Sequence, residues 1–408
     1  MKIAIVGAGI IGVTTAYELA SDGHEVTVFE QRSAAAEEAS FATAGLLAPY
    51  LLSPWAVPGF GQPLRLMGAQ ATLRMAGGLT LANWAWLRRW RSMARSQSAP
   101  ATAVERLAQY SQTRLQSIAS QHELDFEASD GRLVLLRTEE DRTRLQPALQ
   151  VLRDSGVTLR EIDADVARQI EPGLSPEAPL AGAIHLPDAR AGNCRLFAQL
   201  LRQGIQGGGV QFVFNTRVDR LGSSPTGVVL QGEADLRRFD AVVLCAGMAS
   251  ATLLPALGLP MAAVYGYSVS APLRESTHAP RASVVDAGQQ ISITRLGQRV
   301  RIAGGAELAG ADAEHHPPTL QRLYRTLNDW FPGGVQLSSN LQIWRGARTM
   351  LPDGAPVVGA SGVPGLWINT GHGASGWALA CGSARALADL IAQREPEVSL
   401  DGLGMRRF

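Results

Sequence analysis

The first thirty residues constrain this chain more than any other stretch. An apolar run, Ile3–Val6, leads into Gly7-Ala8-Gly9-Ile10-Ile11-Gly12 and then into a helical segment reaching about Ala20. Gly23 and His24 follow, and a second apolar strand, Val26–Phe29, ends at Glu30. Each piece has a separate task in a dinucleotide site. Gly7 permits the tight turn, Gly9 lets the backbone approach a pyrophosphate, and Gly12 allows helix and strand to pack closely. The helix start offers N–H groups that lack intrahelical partners to the phosphates. Glu30 is placed to accept hydrogen bonds from ribose hydroxyls, and its charge disfavours a 2′-phosphate, which argues against NADP. Gln31 and Arg32, next in the chain, belong to the same expected cofactor set. Glycine spacing alone is a weak signal. Its place between two strands and ahead of an acid makes it a dinucleotide motif, without separating FAD from NAD.

A second glycine-rich helix entrance lies near the other end. Gly365–Thr370 reads as a strand, followed by Gly371-His372-Gly373-Ala374-Ser375-Gly376 and an amphipathic run from Trp377 to about Ala392. No second ribose acid follows it. Such a helix start presents N–H donors and a positive dipole end, which suits a flavin ring that gains negative charge on reduction. A packing turn is the plainer reading of these glycines taken alone. Paired with the N-terminal motif, two anchors for one extended cofactor become the better account. A third piece agrees: the apolar strand Asp240–Cys245 ends in Ala246-Gly247, small enough for the backbone to pass close to a cofactor.

At 408 residues, two domains are expected. The composition, 46% hydrophobic and 18% charged, is that of a globular protein, and a net charge of +1 carries no nucleic-acid footprint. Cys194, Cys245 and Cys381 lie far apart without metal-ligand spacing, so no metal site is expected and three buried thiols are the plain reading. Ile3–Val6 is too short for a secretion signal, and no apolar run reaches membrane-spanning length. The expected location is the cytoplasm, with attachment to the inner face of the cell membrane left open.

Beyond the two glycine turns, the chain resembles the small-subunit type of FAD-dependent D-amino acid dehydrogenases, within the D-amino acid oxidase superfamily. The likeness runs through Glu38-Ala39-Ser40-Phe41-Ala42-Thr43-Ala44-Gly45, Pro54-Trp55-Ala56-Val57-Pro58-Gly59 and Asn215-Thr216-Arg217-Val218-Asp219. It continues through Gly266-Tyr267-Ser268, Ile293-Thr294-Arg295, Trp344-Arg345-Gly346-Ala347-Arg348-Thr349-Met350, Pro352-Asp353-Gly354 and Gly371-His372-Gly373. The resemblance implies an α/β, two-domain flavoprotein with a Rossmann-like FAD-binding domain and a mixed-sheet substrate domain. The ranges expected for the first are 1–50, 150–258 and 340–408, and for the second 51–149 and 259–339. It implies hydride transfer from the Cα of a D-amino acid to flavin N5. The imine then hydrolyses to a 2-oxo acid and ammonia, and electrons pass to a quinone or respiratory chain. Ser40, Ala44, Gly45, Leu46 and Val218 join the expected cofactor contacts.

The resemblance also assigns the substrate site. An α-amino acid needs a cation for its carboxylate, and a guanidinium binds one with two parallel hydrogen bonds. Arg348 matches the superfamily's carboxylate-binding arginine; without the resemblance, a structural arginine paired with Asp353 would be the plainer reading. Tyr267 matches a tyrosine that adds a hydrogen bond to the same carboxylate, against a core tyrosine as the alternative. Tyr50 is a candidate lining residue. His372 is expected to pack by the flavin rather than serve as a base. Departures from the family pattern at Arg345, Thr349, Leu46, Leu47 and Ala374-Ser375 bear on substrate preference, Arg345 hinting weakly at acidic or polar substrates.

The stretch Leu64–Met93 places Trp84, Trp86 and Trp90 beside Arg88, Arg89 and Arg91. Tryptophan beside arginine is the pattern of an interfacial membrane helix, but a buried helical layer is the preferred reading. Three rivals to the dehydrogenase stay open. They are an oxygen-using amino acid oxidase of the same superfamily, a D-proline or hydroxyproline dehydrogenase, and a non-catalytic FAD-holding subunit. An intact Arg348 and Tyr267 stand against the last.

Overall fold

The computed structural model describes residues 1–47, 73–76, 80–93 and 100–407. The opening strand, Lys2–Val6, lies inside a six-stranded sheet. Glu25–Phe29 and then Val210–Val213 flank it on one side; Ala241–Leu244, Leu366–Thr370 and Val357–Ala360 follow on the other. All pairings are parallel except that of the edge strand Val357–Ala360. Parallel strands covered on both faces read as continuous apolar runs, and Ile3, Ala4 and Ile5 are fully buried accordingly.

Helix Ile10–Ser21 packs on this sheet and against helix Gly376–Ile391, so the two glycine-rich entrances belong to adjoining helices. Glu18, fully buried between them, is held by Arg114 through two bonds of 2.6 and 2.7 Å and by Arg385 at 2.9 Å. A buried carboxylate is tolerated where such bonds replace its water. Arg114 comes from helix Pro100–Gln121, so three helices are pinned in one register.

A second, nine-stranded mixed sheet contains strands Gln342–Met350, Ala262–Pro272, Arg299–Leu308, Ile291–Leu296, Ser283–Asp286, Ser129–Leu136, Gly182–Ala191 and Arg160–Ile162, in that order. Arg74–Met75 pairs separately with Arg299–Leu308. The pleat sends Tyr267, Val269, Ile293 and Ile302 into a core capped by helix Pro317–Trp330. The mixed α/β architecture is as expected. The chain ranges differ in detail: Arg160–Ile162, Gly182–Ala191 and Gln342–Met350, within ranges assigned to the FAD-binding domain, are hydrogen-bonded into the second sheet. Strand pairing between residues 21 to 88 apart overrides chain order there.

Helix Leu81–Met93 buries Trp86, Leu87 and Trp90 against Val264, Leu308 and Met350, and the Trp86 indole N–H donates to the Met350 carbonyl at 3.1 Å. Leu81 and Trp84 are exposed, as are Arg88, Arg89 and Arg91. The buried-layer reading therefore holds for the helix's apolar stripe, and Trp86 is a core residue rather than a membrane-facing one. No helix among the described residues is long and apolar enough to cross a membrane.

Candidate active site

A cleft of about 660 Å³ is lined by residues of both sheets, and both glycine entrances open on it. At the first, Gly7 has φ +101°, and a Cβ there would lie 2.8 Å from the Cys245 carbonyl oxygen. A Cβ at Gly12 would overlap the Gly7 carbonyl, so Gly12 serves helix–strand contact and does not line the cleft. Gly9 faces the cleft, where a Cβ would meet only the Ser40 hydroxyl at 3.4 Å. Ile10 and Ile11 line it too; Ile10 N–H donates to Ser40 Oγ at 3.0 Å. Glu30 Oε2 accepts from Ala8 N–H at 2.7 Å and Oε1 from Arg32 N–H at 2.8 Å. That fixes the carboxylate at the cleft edge beside Gln31, with lone pairs to spare for hydroxyl donors. Arg32 itself points elsewhere: its side chain pairs with Glu38 at 2.5 Å and does not line the cleft. Proximity in sequence placed it in the cofactor set; an exposed ion pair removes it.

At the second entrance Gly371, His372, Gly373, Ala374, Ser375 and Gly376 all line the cleft. His372 is buried, and desolvation pushes its pKa down to about 3. Ser383 donates its hydroxyl to the Ala380 carbonyl at 3.2 Å, so it accepts from His372 Nε2–H at 3.1 Å. The imidazole is neutral, with its Nε2 proton committed, which makes it a packing element. Ala246, Gly247 and Val218 line the same cleft.

The segment Thr43–Leu47 crosses between the sheets, carrying Ala44, Gly45 and Leu46 into the cleft. Three side chains of the second sheet hold its carbonyls. Arg301 Nη1 donates to Thr43 at 3.1 Å, Thr294 Oγ1 to Ala44 at 2.9 Å, and Arg132 Nη2 to Leu47 at 2.8 Å. Burial pulls the pKa of both arginines down to about 10, leaving them charged at neutral pH. None of these three anchors is evident in the sequence, because each acts on backbone more than 80 residues away.

Arg348 lies on strand Gln342–Met350 and reaches the cleft. Its Nη1 donates to the Gly305 carbonyl at 2.9 Å. Gly305, with φ +76°, sits where the pairing of strands Ala262–Pro272 and Arg299–Leu308 slips register. No carboxylate among the described residues forms an ion pair with Arg348; the Asp353 it could have met is taken by Arg407 at 2.9 Å. Burial lowers its pKa to about 10, so a guanidinium short of counter-charge stands in the cleft wall.

Tyr267 fits its expected role less well. Its ring borders the cleft, but its hydroxyl donates to Glu307 Oε2 at 2.6 Å and accepts from His316 N–H at 3.2 Å. With its proton committed to a carboxylate, it has none for a substrate. Tyr50 and the Pro54–Gly59 segment lie outside the described residues. Arg345 is also reassigned. It faces away from the cleft, stacked on the Tyr265 ring at 3.6 Å and bonded to the carbonyls of Gly310 and Ala311 at 3.0 and 3.1 Å. Its hint of acidic substrates falls with that placement.

The cleft suits FAD on its own evidence. Gly9 leaves room for a phosphate, and Glu30 stands one strand away. Asn369 Oδ1 and Trp377 Nε1, both on residues lining the cleft, are buried without a hydrogen-bond partner among the described residues. The three thiols are free and buried, and burial lifts those of Cys194 and Cys245 to about 12, which keeps them out of the chemistry.

Comparison with known proteins bears on the family and its cofactor. Residues 2–390 match the family model DAO, described as FAD dependent oxidoreductase. D-amino acid dehydrogenases from two strains of Cereibacter sphaeroides are 41% identical to the chain, covering 100% of it and 95% of their own length. Among solved structures, glycine oxidase from Geobacillus kaustophilus has a TM-score of 0.73 at 22% identity, covering 100% of this chain and 98% of that one. L-proline dehydrogenase from P. horikoshii has a TM-score of 0.75 at 17% identity, covering 100% and 97%. At these identities the structures speak for the fold. The match along nearly the whole sequence decides the rest: this chain belongs to the DAO family of FAD-dependent oxidoreductases.

Proposed function

We propose that this enzyme oxidatively deaminates D-amino acids, giving a 2-oxo acid and ammonia through an imine, and passes the electrons to a quinone of a respiratory chain. The carrying observation is Arg348, a half-buried guanidinium with one carbonyl bond and no ion-pair partner among the described residues, beside the second glycine entrance. It suits an α-carboxylate, whose two oxygens match its paired donors. The relatives named D-amino acid dehydrogenase support the D configuration and the dehydrogenase character.

The chemistry FAD supplies when bound is acceptance of a hydride equivalent from the substrate's Cα. The protein's share is placement: Arg348 fixes the carboxylate and with it the direction of Cα. Burial makes His372 a weak base and Glu307 engages the Tyr267 hydroxyl, so neither has an acid–base role and the substrate enters the reaction as a neutral amine. The Thr43–Leu47 segment and the Gly371–Gly376 turn line the same cleft as Arg348 and would hold the flavin there.

The acceptor reading goes with peripheral membrane contact through helix Leu81–Met93. Its exposed Leu81 and Trp84 beside Arg88, Arg89 and Arg91 fit an anionic leaflet. A D-amino acid should bleach the flavin anaerobically while its L enantiomer does not, and a quinone should restore the colour faster than air. Bleaching by both enantiomers, or by neither, defeats the substrate reading; faster recovery in air defeats the acceptor reading.

A further inference from the structure

Strands Gln342–Met350 and Ala262–Pro272 pair glycine with glycine, Gly346 opposite Gly266. Neither residue leaves its side-chain volume empty. A Cβ at Gly346 would overlap the Trp344 indole, and a Cβ at Gly266 would overlap the Arg348 guanidinium. Trp344 and Arg348 stand two residues to either side of Gly346 on one face of the strand, and both lean inward over this glycine pair. Opposed residues in a sheet carry Cβ positions about 5 Å apart, so indole and guanidinium are near neighbours on a shared floor. A single α-amino acid is long enough to touch both.

The indole is held in place from above as well. Phe41, two residues before Thr43, stacks on Trp344 at 5.9 Å and 27°, and Arg195 lies over the Phe41 ring at 4.1 Å. Trp344 is partly exposed, and it lines the cleft together with Gly346 and Arg348. Arg345, the cation between them in sequence, is on the opposite face of the strand.

From this arrangement we infer that Trp344 is the specificity-determining wall of the substrate site, which receives the side chain of the amino acid while Arg348 holds its carboxylate. An aromatic face next to the anchor favours uncharged aliphatic and aromatic side chains. It disfavours acidic ones, because it would strip a carboxylate of water without a bond in return. The inference rests on the amino acid reading above and deepens it.

The test is kcat/KM of the FAD-loaded enzyme, wild type and Trp344→Ala, with D-leucine, D-phenylalanine, D-alanine and D-glutamate. The ratio of D-leucine to D-alanine should fall roughly tenfold or more in the variant, carried mainly by KM, and Trp344→Phe should restore part of it. Gly346→Ala, which pushes the indole from its seat, should lower the same ratio and serves if Trp344→Ala does not fold. Equal losses for all four substrates, or an unchanged ratio in both variants, would overturn the role. So would a wild type that prefers D-glutamate. A wild type reduced by none of the four sinks the amino acid reading itself, a result distinct from any change in ratio.

Discussion

The guanidinium of Arg348 occupies the volume that a side chain at Gly266 would need. The two are on neighbouring strands, with Arg348 opposite Val264 and Gly266 opposite Gly346, so the arginine crosses diagonally to lie over the glycine. Gly266→Ala should therefore displace the guanidinium while sparing the cofactor cradle. The expected outcome is a KM for D-amino acids raised roughly tenfold or more with flavin content unchanged. Normal steady-state kinetics in this variant would remove Arg348 from the substrate site.

Replacing the arginine itself should have a larger effect. Arg348→Ala is expected to lower kcat/KM by two decades or more, on the order of 3 kcal/mol. Arg348→Lys keeps the charge but loses the planar fork, and should recover only part of the loss. Full recovery by lysine would mean that charge alone is read.

At the other end of the cleft, Glu30→Ala should loosen FAD. The substitution removes the acceptor for the Ala8 and Arg32 N–H groups along with the carboxylate proposed to bind the ribose. Leaving such donors unmet costs about 1–3 kcal/mol each. Flavin absorbance retained after dialysis, compared with wild type, checks it. Equal retention would contradict the ribose role.

Thr294→Val changes almost no volume but takes away the donor to the Ala44 carbonyl. We expect about 1–3 kcal/mol lower stability from thermal melts of the flavin-loaded protein. The Thr43–Leu47 segment should also become more accessible to hydrogen exchange. A melt and exchange pattern matching wild type would show that Arg301 and Arg132 suffice.

His372 gives a pH signature. Its folded pKa, about 3, lies below the ordinary histidine value, so between those limits the unfolded chain binds a proton that the folded chain does not. Stability is then undiminished above the ordinary value near 6.5 and falls as pH drops toward 3. His372→Gln keeps a donor for Ser383 and removes the titration. Its melting temperature should decline less than wild type between pH 7.5 and pH 5. Parallel declines would place the acid sensitivity elsewhere.

Local chemistry made the cofactor half of this protein legible from its sequence. A tight turn with φ +101° at Gly7 and helix–strand contact at Gly12 are demands on single residues, and the residues that meet them are visible in the chain. The strand Lys2–Val6, the helix starting at Ile10 and the strand Glu25–Phe29 follow from short-range periodicity, as does the helix from Gly376. Arg32 shows the limit: adjacency to Glu30 suggested a cofactor contact, and an ion pair with Glu38 turned it away.

The substrate half depended on pairings that no local pattern contains. Whether Arg345 or Arg348 faces the cleft is a matter of strand parity, fixed only when Gly346 meets Gly266 across the sheet. Tyr267 has the residue type for binding a carboxylate, yet Glu307, brought beside it by the neighbouring strand, accepts its hydroxyl hydrogen bond. By themselves the residues in sequence determined the first glycine turn, the second glycine-rich helix entrance and the family resemblance, because these rest on backbone conformation and residue type within a few turns of chain. Only the tertiary structure decided which side chains share the cleft with the cofactor, because register and facing emerge when distant strands pair.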